Sequence, residues 1–108
     1  MNIAWIYLLV AGIFEAVWAV GLKYAQGFTR LWPSVITVVA MGISVYFLAV
    51  AVKSLPVGTA YAVWTGIGAL TTAVLGIILF SEPVQAWRIF FLFLLMVAII
   101  GLRLSATD

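Results

Sequence analysis

Residues 57–80 read VGTAYAVWTGIGALTTAVLGIILF and contain no charged side chain. A helix rises about 1.5 Å per residue, so about 20 apolar residues cross the hydrocarbon core of a bilayer. A segment inside lipid must satisfy its backbone hydrogen bonds internally, which only helices and closed barrels achieve. The sequence therefore predicts a membrane-spanning helix over residues 57–80.

Three other segments have the same character, and short polar joints separate them. The predicted spans cover approximately residues 3–22, 33–52 and 87–104. The last one has only 14 uncharged residues between Arg88 and Arg103, so both side chains are expected to extend toward the headgroups. Short joints require neighbouring spans to run in opposite directions. The predicted fold is an all-α integral membrane protein, with four transmembrane helices in one domain over residues 1–108.

The composition excludes several classes of function. Of the 108 residues, 68% are hydrophobic and 7% are charged, which is far from the balance of a soluble domain. The chain has no His and no Cys, which removes thiolate nucleophiles and the usual metal ligands. The five Lys and Arg residues lie at the ends of the spans and form no basic patch. We therefore predict no enzymatic activity, no cofactor, no metal and no nucleic-acid partner, and a lipid bilayer as the surroundings.

The positive charges are balanced between the two sides of the membrane. Lys23, Arg30 and Arg88 fall on one side of the predicted topology, and Lys53, Arg103 and the N-terminal amine fall on the other. A protein with one fixed orientation normally shows a bias of positive charge. The balance favours insertion in both orientations, although a chain with few charges also reaches it by chance.

Glu15 is the ionisable side chain that lies deepest in a predicted span. An unpaired carboxylate at this depth costs roughly 2.5 to 3.5 kcal/mol on the insertion scale. A structural ion pair is the alternative explanation, but the nearest basic residue in sequence, Lys23, lies eight positions or about 12 Å further along the helix. Desolvation penalises the charged form of a carboxyl group, so a proton or a cation is expected on Glu15. We interpret Glu15 as a functional residue.

Aromatic and hydroxyl residues indicate the kind of ligand. Trp18 lies one turn from Glu15, Tyr61 and Trp64 share a face of the third span, and Ser44 lies near the centre of the second. A carboxylate with aromatic faces and hydroxyl groups suits an organic cation, through charge, cation–π contact and hydrogen bonds. Simple packing of the aromatic rings is the alternative. The predicted substrate- and proton-binding residues are Glu15, Trp18, Ser44, Tyr61 and Trp64.

Small residues accompany this group. Gly12 shares the helix face of Glu15 and permits close approach of another helix, while Gly66 and Gly68 follow Trp64 in the third span. Either close packing or bending explains such glycines. We predict that all three line the pocket or act as a hinge.

The chain resembles the small multidrug resistance family over essentially its full length. The resemblance rests on the membrane Glu15 and on the segments GFTRLWPS, residues 27–34, and PVGTAYAVWTGIG, residues 56–68. Residues 15–23, EAVWAVGLK, are similar to the E-x-x-W-A pattern of the guanidinium exporter branch. Ser44 and KSLPVGT, residues 53–59, fit the same branch.

The resemblance implies an antiparallel, dual-topology homodimer in a bacterial inner membrane that exchanges protons for a guanidinium cation. It implies that Glu15 binds proton and cation in mutually exclusive fashion, with Trp18, Ser44, Tyr61 and Trp64 around it. Two alternatives remain open. One is a multidrug exporter of quaternary ammonium or other hydrophobic cations with the same fold, and the other is a membrane accessory subunit that transports nothing.

Overall fold

The part of the chain that the structure describes forms four helices that are each long and apolar enough to cross a membrane. The computed structural model describes residues 3–105, so residues 1, 2 and 106–108 of the predicted domain lie outside the described part. The helices are α1 (Ala4–Ala25), α2 (Leu31–Ala51), α3 (Val57–Phe80) and α4 (Ala86–Ser105), and residues 3–105 contain no strand. The predicted all-α membrane fold with four helices is confirmed.

The turn between α1 and α2 is built from left-handed backbone. Gln26, Gly27 and Phe28 have φ values of 49°, 71° and 64°. The helix α1 therefore includes Lys23 in its last turn and ends three residues beyond the predicted span. The helix α2 begins at Leu31, so Pro33 lies within its first turn, where the backbone N–H has no partner inside the helix.

The helix α1 is central and packs against both α2 and α3, whereas α4 packs against α3. Close contact between α1 and α2 depends on Gly21. A β-carbon there would overlap the hydroxyl of Thr37, which donates to Pro33 O at 2.7 Å. Across residues 86–105, all of which the structure describes, no residue is buried. The face of α4 away from α3 is therefore left to lipid or to another chain.

The connection from α3 to α4 turns back over the end of α3. Ser81 is left-handed, with φ 53°, and the N–H of Glu82 donates to Gly76 O at 3.3 Å. This six-residue closure is the Schellman arrangement that ends many helices. It brings the side chain of Glu82 against Gly76, where a β-carbon would overlap the carboxylate. Arg88, in the first turn of α4, binds the same carboxylate.

Candidate cation and proton site

The carboxylate of Glu15 lies in the contact between α1 and α3. It rests on the backbone of Gly68, because a β-carbon at position 68 would overlap the carboxylate and lie 2.8 Å from Glu15 Cγ. Glu15 Oε1 is buried and has no hydrogen-bond partner among the residues that the structure describes. The site therefore contains a free buried acceptor, and its position requires glycine on the neighbouring helix.

One turn earlier, Gly12 provides a second close approach between the same two helices. A β-carbon at Gly12 would lie 2.7 Å from Ile67 Cβ and 3.5 Å from Trp64 O. Small residues allow membrane helices to pack closely in this way. Gly12 on α1 thus lets the two helices approach one turn before Glu15, and Gly68 on α3 makes room for the Glu15 carboxylate itself.

Ser44 links three helices beside Glu15. Its fully buried hydroxyl donates to Ala11 O at 2.7 Å and accepts a hydrogen bond from Trp64 Nε1 at 3.0 Å. Ala11 O is also the carbonyl that, in an α-helix, accepts the N–H of the residue four positions later, Glu15. The hydrogen bonds of Ser44 thus join the indole of Trp64 on α3 to the backbone of α1, one turn before Glu15.

The predicted aromatic residues have different exposures. Trp64 is 8% exposed, whereas Tyr61 is 59% exposed although its ring lies 5.3 Å from that of Trp64 with an angle of 59° between the planes. Trp18 follows Glu15 by one turn, and its Nε1 is buried with no hydrogen-bond partner among the described residues. A buried acceptor on Glu15 and a buried donor on Trp18 are therefore both left for a ligand, water or a second chain.

The structure brings Ser44, Tyr61 and Trp64 into one connected group and places Glu15 on Gly68. The hydroxyl of Ser44 binds the backbone of α1 and the indole of Trp64 instead of the Glu15 carboxylate. In this conformation the hydroxyl of Ser44 therefore does not orient the carboxylate directly. The link from Ser44 to the helix of Glu15 is its hydrogen bond to Ala11 O.

Gly66 faces a different neighbour from Gly68. A β-carbon at Gly66 would lie 2.9 Å from Ile99 Cδ1 of α4, and α3 continues as a helix through both glycines. Sequence reasoning did not find the roles of Ala11 and Ile67. A backbone carbonyl leaves no signal in the sequence, and Ile67 resembles any other apolar residue of a membrane span.

Comparisons with known proteins agree with the geometry. A family model described as Small Multidrug Resistance protein matches residues 3–95. The chain belongs to the small multidrug resistance family. Together with the four membrane-spanning helices, this membership identifies a multi-pass protein of the bacterial inner membrane, as predicted.

Several similar proteins carry the name Guanidinium exporter. One from Yersinia pseudotuberculosis is 59% identical over 103 residues, covering 95% of this chain and 99% of the relative. One from Escherichia coli strain K12 is 60% identical over 102 residues, covering 94% of this chain and 97% of the relative. One from Salmonella typhimurium is 57% identical over 103 residues, covering 95% of this chain and 98% of the relative. These names are those of transporters, which points to a role other than catalysis.

Proposed function

We propose that this protein exports guanidinium-type cations in exchange for protons, with Glu15 binding either the proton or the cation. The observation that carries the proposal is the Glu15 carboxylate, which rests on Gly68 and whose buried Oε1 has no partner among the described residues. The relatives named Guanidinium exporter support the choice of cation, since they match nearly the whole chain.

The chemistry of the site suits a small planar cation. A guanidinium ion can donate two parallel N–H groups to one carboxylate, and its flat face can stack on an aromatic ring. Trp18 follows Glu15 by one turn on the same helix, so we expect its indole to stack on a cation bound at the carboxylate. The rings of Tyr61 and Trp64 form the second aromatic group of the proposed pocket.

Exchange follows from competition for one group. A carboxylate that has taken a proton no longer attracts the cation, and a carboxylate that holds the cation is not free for a proton. Two oppositely oriented copies of the chain would act like the inverted repeats of larger transporters, which rock around a site near the bilayer midplane. The equal division of positive charges between the two sides supports such an antiparallel homodimer, in which both copies of Glu15 share one pocket.

The test measures currents from purified protein in liposomes after jumps in guanidinium concentration. The wild type is expected to give saturable, proton-coupled currents whose apparent affinity for guanidinium weakens as the pH falls, because protons compete for Glu15. The Glu15→Gln variant is expected to insert and dimerise normally, which size-exclusion chromatography and crosslinking check, but to give no coupled current. Asp108→Asn is the matched control, since it makes the same chemical change in a residue that follows α4 in the sequence.

Three outcomes would contradict the proposal. Proton-coupled guanidinium currents in Glu15→Gln would remove Glu15 from the mechanism. Currents with a quaternary ammonium ion as strong as those with guanidinium would favour a multidrug exporter. The absence of a substrate-dependent current with guanidinium, a substituted guanidinium or a quaternary ammonium ion would favour an accessory subunit.

A further inference from the structure

A cavity lies beyond Glu15, toward the end of α1 that carries Lys23. It has a volume of about 290 Å³ and lies between α1 and α3. On α1 it is lined by Ala19 and Lys23, four and eight residues after Glu15, and on α3 by Thr72 and Gly76, four and eight residues after Gly68. Steps of four residues follow one face of a helix. The cavity is therefore a groove whose lining residues Ala19 and Thr72 lie one turn beyond Glu15 and Gly68 along their helices.

A second carboxylate, that of Glu82, lies where this groove ends. It packs on Gly76, and Glu82 Oε1 accepts a hydrogen bond from Arg88 Nη2 at 2.8 Å. Both side chains line the cavity and are partly open to the surroundings, with exposed fractions of 28% for Arg88 and 36% for Glu82. Ion pairs that are partly open to water are weak.

Lys23 lies in the same part of the cavity but has another partner. Its ammonium group lies over the ring of Phe80, 4.4 Å from the centroid. The group that holds Glu82 is therefore the guanidinium of Arg88, which is chemically the same group as the cation proposed for Glu15. A free guanidinium ion can offer the Glu82 carboxylate the same planar N–H donors as Arg88 does.

We propose that Glu82 is a second and weaker binding site for guanidinium-type cations at the end of the groove, and that Arg88 is the internal occupant that the cation displaces. This proposal rests on the proposed function for the identity of the cation. Gly68 and Gly76, which support the two carboxylates, are eight residues or about 12 Å apart along α3. One small cation cannot contact both carboxylates at once, so Glu15 and Glu82 are successive sites.

The experiment measures guanidinium binding to the purified protein in nanodiscs by isothermal titration calorimetry, in the Glu15→Gln background that removes the main site. Adding Arg88→Ala is expected to tighten the residual binding by roughly two- to fivefold, since an exposed ion pair no longer competes. Adding Glu82→Gln to the Glu15→Gln/Arg88→Ala variant is expected to abolish the residual binding of guanidinium. Arg88→Lys keeps the charge but loses the planar pair of N–H donors, so its residual guanidinium affinity is expected to lie between those of Arg88 and Arg88→Ala.

Arg103→Ala in the same background is the matched control for removing a positive charge from α4. The guanidinium of Arg103 lies over the Trp5 ring, 4.9 Å from its centroid, near the opposite end of α4. This control is expected to leave the residual binding unchanged. An equal gain from Arg103→Ala would overturn the proposal, because the effect would then be one of net charge.

The second site and the proposed function fail in different ways. If the wild type transports guanidinium but the folded Glu15→Gln/Arg88→Ala variant binds none, the assignment of Glu82 is wrong and the function stands. The same holds if binding persists after Glu82→Gln. If the wild type gives no guanidinium current, the proposed function is wrong, and the assignment of Glu82 to this cation is overturned with it.

Discussion

Replacement of Gly68 by alanine tests whether the position of the Glu15 carboxylate limits transport. The added β-carbon would lie 2.8 Å from Glu15 Cγ, whereas ordinary contact begins at 3.4 Å, so Cγ must move by about 0.6 Å. The carboxylate must move further, because it overlaps the added carbon directly. A misplacement of about 1 Å at a reacting or binding group costs up to roughly 100-fold in rate. We expect Gly68→Ala to lower guanidinium transport by about 10- to 100-fold.

Gly66→Ala is the matched control for this measurement. Both substitutions replace a glycine with alanine inside α3, so both gain the same helix propensity of about 1 kcal/mol. The β-carbon at Gly66 would meet Ile99 Cδ1 at 2.9 Å, which is the end of a flexible side chain on α4. Liposome currents are expected to stay within about threefold of the wild type, since this β-carbon meets Ile99 on α4 and not the Glu15 carboxylate. Equal transport by Gly68→Ala and the wild type, or equal losses in the two variants, would refute the reasoning.

Two further predictions concern the packing around the site. Ser44→Ala leaves the buried Nε1 of Trp64 without an acceptor and is expected to lower the free energy of unfolding in detergent by about 1 to 2 kcal/mol; a change below about 0.5 kcal/mol would contradict it. Gly21→Val places side-chain atoms against the hydroxyl of Thr37 and is expected to destabilise the protein by about 1 to 3 kcal/mol in the same assay. Gly42→Ala, where an added β-carbon meets no atom within 4 Å, is its control, and equal stability of Gly21→Val and this control would refute it.

The existence of four membrane helices could be predicted because hydropathy is a property of each segment alone. Residues 57–80 can satisfy their own backbone hydrogen bonds in lipid only as a helix, because a closed barrel needs hydrogen bonds from other strands. The ends of the helices depend on local backbone geometry as well. The helix α1 continues past Lys23 to Ala25, because it ends where Gln26 becomes left-handed and not at its first basic residue.

A functional role of Glu15 could also be proposed from the sequence, since the cost of burying a carboxylate depends on its depth in a span. The contacts around it could not. Ser44 and Ala11 are 33 residues apart, and their hydrogen bond depends on how far α2 is rotated toward α1. Likewise, sequence identifies Gly68 as a small residue but does not reveal that the carboxylate of Glu15 rests on it.

The ion pair between Glu82 and Arg88 is also predictable only in part from the sequence. The sequence shows a negative charge, Glu82, after the third span and a positive charge, Arg88, at the start of the fourth. Their contact exists because the chain reverses at Ser81 and closes back on Gly76. The free energy of placing a segment in lipid depends on that segment alone, so membrane helices can be predicted from the sequence. Contacts between helices depend on the rotation and depth at which separate segments pack, which only the tertiary structure determines.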